Sequence, residues 1–216
     1  MIEYYPIVTG ALGENCYLVW QGETAWIIDP GADAEEIIAE VKSRGLLPTA
    51  IVLTHGHFDH IGALDALMKQ WPSLPVILRK EDATWAFTHP FNQYPPLYMH
   101  QKPPATLRSV EEETFSCGGL SARLLHTPGH TPGGICVLFE RDDGLPPLCF
   151  TGDTLFKDSV GRTDLPGGSF LELNRSLRFL AETLPPSTTL LSGHGAATTM
   201  ERELRFNPYL REDEGF

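Results

Sequence analysis

Several things are scarce in this sequence, and each scarcity removes a class of function. Cysteine is the first: Cys16, Cys117, Cys136 and Cys149 stand at wide spacings among 216 residues, with no Cys-x-x-Cys pair. Three of them lie in apolar stretches (Asn-Cys-Tyr-Leu-Val, Ile-Cys-Val-Leu, Leu-Cys-Phe), the setting of reduced core residues in a cytoplasmic protein rather than of disulfides. Basic residues are outnumbered, 16 Lys and Arg against 28 Asp and Glu, for a net charge of -12. A nucleic-acid-binding surface needs clustered Lys and Arg, so no nucleic-acid partner is expected and the charge reads as a solubility device. No apolar run approaches the roughly 18 residues of a membrane span, so no membrane association is expected. The opening MIEYYPIVTGALGEN carries Glu3 and Pro6 and lacks a basic start, unlike a secretory signal. Low-complexity tracts, an internal period and a linker are also missing, which leaves one domain over residues 1–216 as the expectation.

What is present is an ordinary folding composition, 42% hydrophobic and 20% charged. Short strands are expected at 2–9, 15–20 and 25–28, punctuated by Gly10, Gly13 and Gly22. Asp29-Pro30-Gly31 stops that run, and Ile37, Ile38 and Val41 then fall at helical spacing, predicting a helix over 33–44 capped by Asp33. Ala50-Ile51-Val52-Leu53 has the continuous apolar character of a strand buried on both faces. Further helices are expected at 61–71, 81–87, 170–183 and 197–206, and further strands at 76–78, 121–126, 134–139, 147–151 and 188–191. Pro90, Pro95, Pro96, Pro103 and Pro104 make 88–106 a long surface excursion, whose Phe91, Tyr94, Tyr98 and His100 read as surface packing, with a lid or wall beside the metals as the alternative. Strands mixed with helices in both halves point to two sheets with helices outside them.

The chemistry is concentrated in the histidines. There are eight, and five stand in glycine- or turn-rich segments directly after expected strands. Thr54-His55-Gly56-His57-Phe58-Asp59-His60 packs four ligand-type side chains into six residues, a poor solvated loop and a poor core. Gly56 lets the backbone fold tightly enough for His55 and His57 to approach one cation. Asp59 and His60 lie where the next helix begins and can project toward a second. Nitrogen and carboxylate ligands without thiolate suit zinc, iron(II) or manganese. Leu125-His126-Thr127-Pro128-Gly129-His130-Thr131-Pro132-Gly133 is a rigid turn at a strand end in which either histidine can serve as a ligand. Cys149-Phe-Thr-Gly-Asp153-Thr and Leu190-Leu-Ser-Gly-His194-Gly each place one further ligand after a strand.

In this order the elements resemble the metallo-β-lactamase superfamily, over nearly the whole chain. The resemblance implies an α/β (α+β) fold, a four-layer αββα sandwich with metals along one edge of the sheets. It implies two divalent metal ions, zinc with iron or manganese as alternatives. His55, His57 and His130 would hold one, Asp59, His60 and His194 the other, and Asp153 would bridge them. His126 is then a structural residue, and Asp29 in Ile-Ile-Asp-Pro-Gly matches an aspartate that orients the metal loop from behind. Such a pair generates a bridging hydroxide at neutral pH for metal-assisted hydrolysis, with Asp59 orienting it.

Thr151-Gly-Asp-Thr-Leu-Phe, Gly161-Arg-Thr-Asp-Leu-Pro-Gly-Gly168 and Asn207-Pro-Tyr-Leu210 are similar to the glyoxalase II (hydroxyacylglutathione hydrolase) group. The likeness is to its short bacterial form without the C-terminal helical domain. This implies a small-molecule substrate, an anionic acyl thioester such as S-D-lactoylglutathione, acted on by a monomer or small homo-oligomer. Arg162 stands where that group has a basic glutathione contact, although an ion pair with Asp164 is the competing reading. Asp164 replaces a tyrosine of the group and weakens the case for tight glutathione binding. Two alternatives share the fold: an iron-dependent persulfide dioxygenase, whose branch also carries Gly-Arg-Thr-Asp, and a lactonase.

Overall fold

A computed structural model of the protein describes residues 1–93 and 102–211. The chain forms two large sheets. The first is built from β1 (Glu3–Thr9), β2 (Glu14–Gln21), β3 (Thr24–Ile28), β4 (Leu47–Val52), β5 (Val76–Arg79) and β6 (Leu107–Val110), which are neighbours in that order. Its first three strands pair antiparallel and its last four pair parallel. The second sheet uses β7 (Thr114–Cys117), β8 (Leu120–His126), β9 (Ile135–Phe139), β10 (Leu148–Gly152), β13 (Thr189–Ser192) and β14 (Thr198–Thr199), in the order β14-β13-β10-β9-β8-β7. A small hairpin, β11 (Leu155–Phe156) and β12 (Ser159–Val160), follows β10.

The layers follow from strand alternation. Tyr17, Val19, Trp26, Ile28, Ala50 and Val52 point inward and meet Leu124, Val137, Phe139 and Phe150 of the second sheet. Their neighbours Leu18, Ile27 and Ile51 point outward, onto Ile37 and Val41 of α1 (Ala34–Ser43) and Leu64 and Leu67 of α3 (Leu64–Gln70). On the far side Leu173, Leu177 and Leu180 of α5 (Phe170–Thr183) cover Leu125, Cys136, Cys149 and Leu190. Three apolar seams therefore separate four layers, the αββα sandwich. Strands covered on both faces must be apolar throughout, which is why the Ala50–Leu53 run reads so plainly. Trp26 is fully buried and its indole N–H donates to the Cys117 carbonyl at 3.0 Å. All four cysteines are free thiols. Among the described residues no helix is long and apolar enough to cross a membrane.

Several expected boundaries shift. The helix expected over 61–71 is two pieces, α2 (Phe58–Ile61) and α3, because the Ala63 N–H leaves the helical ladder to donate to the Pro30 carbonyl at 3.0 Å. Asp33 stands at the N-cap of α1, where its carbonyl accepts from the Glu36 and Ile37 N–H groups, but its side chain makes no capping bond. It sits at φ 50, and its carboxylate accepts from the Gly10 N–H at 2.8 Å, closing the β1–β2 turn instead. The helix expected over 81–87 is the short α4 (Lys80–Ala83), continued by single turns. The last helix, α6 (Met200–Phe206), starts after a strand pair at Thr198–Thr199, with Thr199 as its cap. Within the proline-rich segment a 3-10 turn spans Pro90–Gln93, and Tyr94, Tyr98 and His100 lie outside the described residues.

Candidate metal centre

The site lies where strand ends of both sheets meet. β3 ends at Ile28, and Asp29 follows in the left-handed region at φ 49, a conformation Asp tolerates better than most residues. Its carboxylate turns toward the end of β4, where Oδ1 accepts from the Thr54 N–H at 2.6 Å and Oδ2 from the Thr54 hydroxyl at 2.5 Å. Oδ2 also lies 3.0 Å from His60 Nδ1. His130 comes from the β8–β9 loop, Asp153 follows β10, and His194 follows β13. Gly152, at φ 46, is required there because a Cβ would collide with Thr54. Gly193 is required because a Cβ would strike Asp153 and the His60 ring.

The predicted ligands converge. His55, His57 and His130 bring their ligating atoms within 4.8 Å of one another, and so do Asp59, His60 and His194. Asp153 lies between the groups, with Oδ1 3.4 Å from His60 Nε2 and Oδ2 3.5 Å from His130 Nε2 and 3.7 Å from His194 Nε2. Asp59 Oδ2 is 3.3 Å from His194 Nε2. Within the first group His57 Nδ1 and His130 Nε2 are 2.8 Å apart. His126 stands apart, its Nε2 3.0 Å from the Pro132 carbonyl.

The outer partners decide which nitrogens face inward. The Arg162 carbonyl, 2.7 Å from His130 Nδ1, can only accept, so Nδ1 carries the proton and Nε2 a lone pair. Asp29 does the same to His60. The Thr54 hydroxyl donates to Asp29, so it accepts from His55 Nδ1 at 3.1 Å, and His55 Nε2 is likewise left with a lone pair. The inward atoms His55 Nε2, His60 Nε2 and Asp153 Oδ1 are buried and have no hydrogen-bond partner in the protein. Buried polar atoms are rarely left so, and lone pairs converging with a carboxylate fit a divalent cation.

Electrostatics agree with that fit. Burial drives His55 well below its ordinary value and, with His130 beside it, His57 down to about 3, so both imidazoles are neutral at neutral pH. Burial alone would raise Asp153, but His60, His130 and His194 outweigh it and hold the carboxyl well below its usual range. Burial would raise Asp59 as well; the His194 contact reverses it. Burial works against the charged forms of His60 and His194, yet their carboxylate neighbours raise both. A cation bound there takes the place of those protons.

Arg162 is split in role. Its carbonyl orients His130, while its exposed guanidinium is engaged bidentately by Asp164 at 2.7 and 2.8 Å. That pair holds Asp164 at about 2. Aromatic rings line the site, among them Trp85, which carried no sequence signal, and Phe91 from the proline-rich segment. Trp85 and Phe91 wall His57, with ring centroids 5.6 and 5.3 Å away, and Phe156 stands edge-on to His194 at 6.3 Å. β2 pairs with the His194 loop: the Asn15 N–H donates to the Gly193 carbonyl at 2.7 Å, and Glu14 and His194 form an isolated bridge. The Asn15 amide donates to the Ser192 and Gly195 carbonyls, and the Tyr17 hydroxyl to Ser192.

Comparison with known proteins places the chain. The model of the metallo-β-lactamase superfamily matches residues 9–194, from the end of β1 to the last histidine of the cluster. The chain belongs to this superfamily, and fold and cluster together define it as a metallo-hydrolase. It is 36% identical over 204 residues to the probable metallo-hydrolase YqgX of Bacillus subtilis, covering 93% of this chain and 94% of that one. It is 34% identical over 213 residues to the hydroxyacylglutathione hydrolase GloC of Haemophilus influenzae, covering 97% of each. Among solved structures, the BLEG-1 B3 metallo-β-lactamase superposes with a TM-score of 0.86 at 36% identity, over 96% of this chain and 99% of that one. TTHA1623, solved in a di-iron-bound form, superposes with a TM-score of 0.80 at 39% identity, over 95% and 100%.

Proposed function

We propose that this protein hydrolyses an acyl thioester of the S-D-lactoylglutathione kind, using two divalent cations and working as one domain in the cytoplasm. The observation that carries the hydrolase reading is the pair of filled ligand groups with the Asp153 carboxylate between them. His55, His57 and His130 would hold one cation and Asp59, His60 and His194 the other, with Asp153 shared. Zinc suits these donors, as do iron and manganese. Cations held there supply Lewis acidity, bringing a water toward a pKa of ~7 and polarising a carbonyl. No serine or cysteine nucleophile is then required.

The chain's own side chains do the rest. Ionised Asp59 accepts a hydrogen bond from the attacking water and orients it. Trp85 and Phe91 keep bulk water off the His57 side. Arg162 receives the anionic end of the substrate; since it already grips Asp164, binding there exchanges one carboxylate for another. The thioester assignment is supported by the likeness to GloC across 97% of both chains.

The test is loss of thioester absorbance on adding the purified protein. Turnover should fall to background in His57→Ala and Asp153→Ala. A panel of thioesters, lactones and β-lactams in which only another ester-like class is cleaved would reassign the substrate. Oxygen consumption with glutathione persulfide, in place of hydrolysis, would move the protein to the dioxygenase alternative.

A further inference from the structure

Asp82 is a fully buried carboxylate on α4 that belongs to neither ligand group. Its two oxygens go to two different loops. Oδ2 accepts from the Gly56 N–H at 2.9 Å, between His55 and His57. Oδ1 accepts from the Gly133 N–H at 2.6 Å, in the loop that carries His130. Asn92, also buried, takes the other side of Gly56: its amide donates to the Gly56 carbonyl and, at 2.7 Å, to that of Ala86.

Both glycines are packed down onto this anchor. A Cβ on Gly56 would lie 2.7 Å from Ala86 Cβ and 3.5 Å from Asp82 Cβ. A Cβ on Gly133 would lie 2.6 Å from the Asp82 nitrogen and 2.7 Å from Oδ1. A hydrogen bond with an ionised acceptor is about twice as strong as a neutral one, so a carboxylate is the better grip. The 2.8 Å approach of His57 Nδ1 to His130 Nε2 demands that the two loops keep a fixed spacing. Apart from Asp82, a backbone bond from the Ile135 N–H to the Thr54 carbonyl at 2.9 Å also ties them.

We infer that Asp82 is a positioning residue for the metal centre: by bridging Gly56 and Gly133 it sets the distance between the His55–His57 loop and the His130 loop. The inference rests on the reading that those three histidines hold a cation. Asp82 itself touches neither that cation nor the substrate.

The test uses metal-free full-length protein, with zinc affinity measured by competition against a chromophoric chelator and cobalt(II) absorption as the spectroscopic signature. Asp82→Ala should weaken one metal equivalent by about 10–100-fold, the range for loss of an outer partner, and leave the other near wild type. Its cobalt spectrum should change. Asp82→Asn, which keeps an acceptor for only one of the two N–H groups, should fall between. Leu180→Ala, at a fully buried α5 site that belongs to neither loop, should lower stability without moving affinity or spectrum. Asn92→Ala frees the opposite side of Gly56, should weaken the same equivalent, and decides the matter if Asp82→Ala does not fold. Wild-type affinity and spectrum in the Asp82 and Asn92 variants would overturn the positioning role alone. Wild-type protein that takes up no zinc or cobalt would remove the underlying site reading and the inference with it.

Discussion

Asn15 and Tyr17 sit near the start of β2, yet their polar ends serve a loop from the other end of the chain. The Asn15 amide satisfies the carbonyls of Ser192 and Gly195, each at 3.0 Å, and the Tyr17 hydroxyl adds a third bond at 2.7 Å. Burial pushes the Tyr17 hydroxyl far above its ordinary value, so it stays a donor at every working pH. Removing the Asn15 amide leaves the Ser192 carbonyl with the Tyr17 bond and hands the Gly195 carbonyl, in an exposed residue, to water. Asn15→Ala should therefore cost about 0.5–1.5 kcal/mol in urea unfolding. Because those carbonyls flank His194, the variant should also need more zinc for full occupancy. Unchanged stability would mean that the loop is held by its backbone pairing alone.

At the scale of elements, α6 is bound to the β11–β12 hairpin through one buried carboxylate. Glu203 accepts from the Thr198 hydroxyl at 2.6 Å, Arg202 at 2.8 Å, the Asp158 N–H at 2.8 Å and the Asn207 amide at 3.0 Å. Burial would raise its pKa, but these donors leave it below its ordinary value. A carboxyl depressed in the folded state stabilises above its unfolded pKa of about 4.3, and that contribution disappears as pH falls through the folded value. Glu203→Gln should cost about 2–3 kcal/mol at pH 7. The melting difference from wild type should then narrow below about pH 4. A gap independent of pH would show that shape, not charge, holds the hairpin.

What the sequence made legible at this scale were elements whose residue types carry a pattern. The double-faced strand at Ala50–Leu53, α5 with Leu173, Leu177 and Leu180 on one face, and histidines set between glycines after strands all read directly. The break between α2 and α3 did not, because it depends on the Pro30 carbonyl reaching Ala63. β6 and β7 were missed as half-exposed edge segments whose partners, β5 and β8, supply the pairing. Asp82 was missed for another reason. Lys-Glu-Asp looks the same at a solvated helix start as at a buried one, and backbone N–H partners leave no trace in residue type.

For the whole molecule, the ligand groups join strand ends of both sheets, so a bound cation stabilises the packing of one sheet on the other. At free metal about 100-fold above Kd, one site adds about 2.7 kcal/mol. For a chain of this size that is a rise in Tm of about 5–10 °C. Calorimetry should show a fall of that order on chelation and recovery when zinc is restored. A Tm indifferent to both would mean that the histidines and aspartates do not take up metal at all.

The bridge between β2 and the His194 loop also orders events in time. Asn15 and Gly195 are separated by 180 positions along the chain. At about 5–20 residues per second, a ribosome needs roughly ten to forty seconds to pass from one to the other. For most of that interval Asp59 and His60 are already made while His194, which completes their group, is not. Competence therefore arrives only once the His194 loop has been made and β2 has captured it. A polypeptide released before that capture has most of the core but an unfinished centre.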